Sequence, residues 1–179
     1  FLTPLFNAII NERSLLVTYQ DFKSDAPYDI PFHPHYLKQY NNRWFAFGLN
    51  EDTYAPNWNL AIDRIIGLSE RRTKYLASVI DWEDYFYDIV GVTRMLEATP
   101  EPIHLLFSKE VAPYILTKPL HPSQKHQMES DGLSVTIHVI PNFELETLIL
   151  SFGEKVEVVS PDSFRRTILQ RLQQTQTRY

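Results

Sequence analysis

Two different rhythms of apolar residues divide this chain, and the change between them near residue 80 limits its possible folds more than any other feature. Before the change, the runs LLVTYQDF, IPFHPHYLKQY, RWFAFGL and LAIDRIIGL follow one another with period-two alternation and many aromatic and β-branched residues. Runs of this kind are strands. Turn chemistry separates them, first Lys23-Ser24-Asp25-Ala26-Pro27 and then Asn41-Asn42, whose short polar side chains tolerate the positive dihedrals of a tight hairpin. Short consecutive strands predict an antiparallel sheet, and closing it into a small barrel would remove its exposed edges. Ahead of them, Thr3-Pro4 reads as an N-cap followed by proline at the first helical position. Leu5, Phe6, Ile9 and Ile10 keep helical spacing, so a short helix ending near Arg13 is expected.

After residue 80 helices and strands alternate. Asp81 to Tyr87 reads as a short helical or irregular connector, and Thr99-Pro100-Glu101-Pro102 as a stiff break. Beyond it the pattern predicts a strand over 103–107, a helix over 109–116, strands near 124–129 and over 133–139, a helix over 143–152 and a strand over 156–159. Asp131-Gly132 marks the hairpin between the middle strands, and Gly153 sits where a helix C-cap belongs. The order β-α-β-β-α-β is that of a ferredoxin-like domain. A last helix begins at Ser160-Pro161-Asp162. The expected organisation is therefore α+β: a barrel over 1–80, a connector over 81–102, and a ferredoxin-like domain over 103–179.

Composition excludes several kinds of chemistry. With no cysteine, disulfide frameworks, thiolate metal sites and cysteine nucleophiles are out of reach, and a reducing cytoplasm is the expected location. No stretch approaches the roughly 20 apolar residues of a membrane-spanning helix, so no membrane partner is expected. The opening at Phe1 reads as a fragment of something longer. Residues 1–79 hold eight Lys or Arg against eight Asp or Glu, and residues 80–179 nine against fourteen, so the halves carry 0 and -5. Neither has the basic balance of a dedicated nucleic-acid binder, which leaves room only for a smaller basic concavity. No nucleophile elbow, phosphate-binding loop or zinc-protease motif is present, and the five glycines are scattered. A binding protein without cofactor is expected rather than an enzyme. Glu83 with Asp84, and Glu144 with Glu146, read as solvated charge.

Particular residues carry a family resemblance. Tyr19 on the first strand, Arg43-Trp44-Phe45-Ala46 and Ile62-Asp63-Arg64-Ile65, in that order, resemble the WYL domain of bacterial transcriptional regulators. The second half, from Ile103 through Gly153-Glu154-Lys155-Val156-Glu157-Val158 to Pro161, is similar to the C-terminal extension that commonly follows it. The resemblance implies an Sm-like or SH3-like barrel that binds an effector, then a ferredoxin-like domain used in dimerisation or regulation. It also implies a nucleic-acid or nucleotide-like ligand, a homodimer, and DNA contacted through an N-terminal helix-turn-helix that this sequence lacks. Two departures stand out. The signature triplet reads Trp44-Phe45-Ala46, and Leu60-Ala61-Ile62 stands where many members carry an additional arginine.

Arg43 and Arg64 are the first candidates for ligand contact, because a guanidinium fork matches phosphate oxygens. The competing role for Arg64 is an ion pair with Asp63 or another acid. Tyr19, His33, His35 and Trp44 complete the candidate set. On a strand His33 and His35 share one face, fit to donate to a phosphate, to stack on a base, or simply to support the fold. They lack a third ligand of matching spacing, so no metal site is expected. Phe45 and Phe47 face one side and Trp44 the other, as core or as a stacking platform. On the last helix Arg165, Arg166, Arg171 and Arg178 form a solvated or basic face, while Phe164, Ile168, Leu169 and Leu172 face a sheet or a second subunit. The expected function is the ligand-sensing part of a transcriptional regulator, taking a short single strand or a nucleotide. The alternative is an oligomerisation module with a vestigial pocket.

Overall fold

In the computed structural model residues 1–95 and 97–179 are described; residue 96, inside the expected connector, lies outside the described residues. The chain forms two units, Phe1–Trp82 and Glu83–Tyr179.

In the first unit a helix, α1 (Leu2–Ile10), precedes five strands: β1 (Leu15–Tyr19), β2 (Tyr28–Tyr40), β3 (Arg43–Asn50), β4 (Ala55–Ala61) and β5 (Ile65–Glu70). The helix takes Phe1 rather than Thr3 as its N-cap and stops at Ile10. Glu12, at φ 51, turns the chain out of it, so the expected ending near Arg13 is too late. All strand pairs are antiparallel and the order is β4-β3-β2-β1-β5. Among the described residues β4 and β5 do not pair. A 3-10 turn, Ile62–Arg64, joins them, so the expected closed barrel is replaced by an open sheet.

The long β2 makes this possible. Phe32 pairs with Leu15 of β1 and with Asn50 of β3, so the strand changes partners at that residue. Just beyond, Pro34 pairs with Gly48 and Tyr36 with Phe47, leaving His35 as an extra residue. Proline has no N–H for a ladder, and a bulge is where a strand tolerates one. The backbones approach so closely here that a Cβ on Gly48 would lie 2.1 Å from the His33 carbonyl oxygen. Asn41 and Asn42 turn β2 into β3 at φ 47 and 60, the primed-turn geometry expected of them. Leu5, Val17, Phe32, Ala46 and Leu60 fill the core beneath the sheet. Each large side chain so buried contributes about 1.5–3 kcal/mol.

The second unit opens in α2 (Trp82–Tyr87), within which the boundary between the units falls. Then come β6 (Glu101–Ser108), α3 (Ala112–Thr117), β7 (Lys125–Met128), β8 (Gly132–Val139), α4 (Phe143–Leu150), β9 (Val156–Ser160) and α5 (Asp162–Gln176). The antiparallel order β7-β8-β6-β9 has two crossovers, β6 to β7 through α3 and β8 to β9 through α4. Alternation along β6 and β8 sends Ile103, Leu105, Phe107, Leu133, Val135 and Ile137 to one face, where Leu145, Ile149, Phe164 and Ile168 of α4 and α5 meet them. The helices are shorter than the pattern predicts. Asn142 caps α4 by accepting from the Leu145 N–H at 2.8 Å. Gly153, at φ 56, opens a 3-10 turn beyond α4 rather than capping it. Glu144 and Glu146 are not idle charge. Glu144 accepts from Thr93 Oγ1 at 2.7 Å, and Glu146 pairs with Arg171 at 2.9 Å. Arg165 pairs with Glu157 at 2.6 Å, so the basic face of α5 is partly neutralised.

Candidate functional site

Four of the six candidate residues gather around the 3-10 turn between β4 and β5. Tyr19 closes β1 as a buried core residue, and its hydroxyl accepts from the Ala61 N–H at 3.3 Å, which fixes the entry to the turn. Arg43, first residue of β3, reaches Asp63 with its Nε at 3.2 Å. Trp44 beside it is partly exposed and lines, with Asn41, Asn42, Arg43 and Asp63, an open groove of about 600 Å³. Since both partners of the Arg43–Asp63 pair are about half exposed (42% and 50%), water and salt screen it.

Arg64 follows Asp63 but takes another direction. Its guanidinium carbon lies 3.9 Å from the centre of the Phe22 ring, and its Nε is buried without a hydrogen-bond partner. Among the described residues no carboxylate pairs with it, so Asp63 answers Arg43 and not Arg64. A buried N–H with no acceptor carries a desolvation cost. The sequence places Phe22 at the end of the strand-like run LLVTYQDF, but β1 stops at Tyr19 and Phe22 stands in the turn that follows. The turn that carries it is well fixed: Asp21 Oδ1 accepts from the Lys23 and Ser24 N–H groups at 2.7 and 2.8 Å, and Asp21 Oδ2 from the Tyr28 hydroxyl at 3.0 Å. The Lys23 N–H and Ser24 hydroxyl hold the Asp21 carboxyl below its ordinary pKa, while burial and the Asp21 carboxylate push the Tyr28 phenol up to about 12.

The two histidines lie apart from this cluster and serve the fold. His33 is buried, with Nε2 3.3 Å from Glu51 Oε2 and Nδ1 accepting from the Leu76 N–H at 3.0 Å. That acceptance requires Nδ1 to be unprotonated, so the neutral ring carries its proton on Nε2 and donates to Glu51. Glu51 also binds Arg71, which reaches Ser14 Oγ at 3.2 Å. The Arg71 guanidinium holds the Glu51 carboxyl below its ordinary pKa. His35 Nε2 donates to the Leu76 carbonyl at 2.8 Å, and Tyr75 donates to the Pro34 carbonyl at 2.7 Å. Burial pushes the His35 ring down from its ordinary pKa and the Tyr75 phenol up to about 12. The backbone N–H and C=O of one residue, Leu76, are thus each held by one of the two histidines. Glu51, Arg71 and Tyr75 were missed in the sequence because their partners lie far along the chain.

With this geometry in place, comparison with known proteins finds two domain families in tandem. Residues 1–69 match the WYL domain family and residues 99–176 the WCX domain family. The chain carries a WYL domain followed by a WCX domain. No curated protein matches it by sequence. Among solved structures it is similar to a CRISPR Cas-related protein, at 14% identity and a TM-score of 0.57, over 98% of this chain and 51% of that one. It is also similar to proteasome accessory factor B/C (PafBC) of Arthrobacter aurescens, at 15% identity and a TM-score of 0.39, over 93% of this chain and 25% of that one. The chain therefore spans about half of the one and a quarter of the other. Among the described residues no helix is long and apolar enough to cross a membrane.

Proposed function

We propose that the chain is the ligand-sensing part of a transcriptional regulator, and that its first sheet binds a phosphate-bearing ligand, either a short single-stranded nucleic acid or a nucleotide. The WYL and WCX domains support the regulatory class. The observation that carries the ligand chemistry is Arg64, a guanidinium without a carboxylate whose Nε is buried and unpartnered. Arg43 and Trp44 line the groove beside Asp63, and Tyr19 fixes the turn on which Arg64 stands. The first sheet is read as an Sm-like arrangement whose end strands meet through a turn rather than a ladder, and the second as ferredoxin-like. In the regulator, a cytoplasmic homodimer, ligand preference for one arrangement of subunits would change DNA affinity in a helix-turn-helix domain outside this sequence.

The test is a fluorescence-anisotropy titration with short single-stranded DNA, RNA and cyclic nucleotides at two salt concentrations. Binding that weakens with salt and is lost in Arg64→Ala supports the reading, since each neutralised phosphate steepens the salt dependence. Unchanged affinity in Arg64→Ala removes Arg64 from the site. A second reading, an oligomerisation module, is favoured by the Arg43–Asp63 pair already in place and by Leu169 and Leu172 of α5, which are 44% and 46% exposed. Silence across the ligand panel together with a concentration-dependent dimer would establish it instead.

A further inference from the structure

We propose that Phe22 is a stacking platform for an unpaired nucleobase, placed against Arg64 so that the two side chains hold the base and the phosphate of one nucleotide. The inference rests on the phosphate-ligand reading above and adds the group that would tell a nucleotide from a bare phosphate.

Phe22 is 81% exposed, more than any other phenylalanine among the described residues. That ring stands in water, where a partner can reach it, and not in the core. The Arg64 guanidinium covers part of the ring at 3.9 Å, and the rest is open to solvent. Every base has a flat apolar face that stacks on such a ring, and stacking on an aromatic side chain does not depend on base identity.

The platform is also held still. Asp21 Oδ1 accepts from the backbone N–H groups of the two residues after Phe22, Lys23 and Ser24, and from the Ser24 hydroxyl at 3.0 Å. Gln20 donates its backbone N–H to the Arg64 carbonyl at 3.2 Å, which ties the root of the turn directly to the 3-10 turn carrying the guanidinium. The Asp21 carboxylate is occupied by these donors. An aromatic ring and a guanidinium fixed side by side before the ligand arrives lose little freedom on binding. Inorganic phosphate would use Arg64 alone, whereas a nucleoside phosphate uses both groups.

The test compares the intact chain with Phe22→Ala and Phe22→Trp. The probes are a short single strand containing 2-aminopurine, the same strand with abasic sites, and a mononucleotide. Phe22→Ala is expected to weaken binding of the base-bearing strand about tenfold and to leave the abasic strand within about twofold. Phe22→Trp is expected to keep affinity and to quench the 2-aminopurine on binding. Mononucleotide binding with the same dependence on Phe22 would assign a free nucleotide, and binding of strands alone a nucleic acid. Equal weakening of base-bearing and abasic strands, or no weakening of either, overturns the platform while leaving the phosphate site standing. If the unsubstituted protein binds no probe, the phosphate reading itself falls and the platform with it.

Discussion

Within the first unit, the far end of β2 and the turn between β4 and β5 differ in how far the fold itself answers their charged and polar side chains. At the β2 end, His33 and His35 grip the backbone N–H and C=O of Leu76, Tyr75 donates to Pro34, and Glu51 answers both His33 and Arg71, while His35 Nδ1 is left without a partner. At the turn, Arg43 has a solvent-screened acid, and Arg64 has an aromatic ring and an unanswered Nε. Hydrogen-bond capacity used internally builds stability, and capacity left over is what a ligand can use. Substitutions should therefore separate the two regions, lowering stability at the first and altering binding at the second.

The largest loss is expected where the β2 bulge meets β3. Gly48→Ala places a methyl group 2.1 Å from the His33 carbonyl oxygen and 2.9 Å from the Phe32 ring, and backbone offers no easy retreat. A destabilisation of at least about 3 kcal/mol in urea unfolding is predicted. An unchanged midpoint would mean that the two strands are not so closely apposed.

His33→Ala comes next. It removes a buried ring, orphans the Leu76 N–H and leaves Glu51 with Arg71 alone, at a cost of about 2 kcal/mol. Hydrogen exchange provides the local readout, because the Leu76 amide should lose protection while core amides of the second unit keep theirs. Arg64→Ala should leave the same amide unaffected.

The histidine grip also sets a pH dependence. Burial is the largest influence lowering the His35 pKa, and the bond to the Leu76 carbonyl opposes it. Because the folded pKa lies below the unfolded value of about 6.5, the unfolded chain binds more protons in between. The contribution is therefore complete above that value and is lost as the pH falls through the lower folded pKa. Glu51 is also lowered and keeps its contribution throughout the range from about pH 7.5 to 5.5, so of the two only His35 responds there. Unfolding midpoints measured between about pH 7.5 and 5.5 should fall for the intact chain and flatten for His35→Gln. Equal slopes would show that His35 is not the titrating group.

Much of this architecture is legible in the residues, for identifiable reasons. Period-two runs locate β1 to β3, β6 and β8 because alternate side chains on these strands reach a core. Asn41-Asn42 announces its turn because few other residues tolerate two positive dihedrals. Closure of the barrel is not legible, since nothing in LAIDRIIGL distinguishes continuous pairing from a strand broken by the turn at Ile62–Arg64. The site is visible only in part. Arg43 and Arg64 are found by residue type, yet whether Asp63 answers one or the other depends on the directions taken within that turn. His33 and His35 both reach the backbone of Leu76, a residue more than forty positions away in sequence. Sequence spacing carries no trace of such a pairing.

The smallest effect on stability separates sensor from vestige most sharply. Asp63 is the one acid pairing with Arg43 among the described residues, and both are about half exposed, so Asp63→Asn should shift unfolding by less than about 0.5 kcal/mol. Its effect on binding should run the other way. Removing a carboxylate from the groove frees the Arg43 guanidinium and ends its repulsion of an incoming phosphate, so affinity for a short single strand should rise several-fold at low salt. The slope of log affinity against log salt should steepen by up to about one as Arg43 gains a phosphate. An affinity gain in Asp63→Asn that disappears in the double variant with Arg43→Ala would show that the ion pair competes with ligand. Unchanged binding in Asp63→Asn would confine phosphate contact to Arg64 and leave Arg43 as an internal partner of the turn.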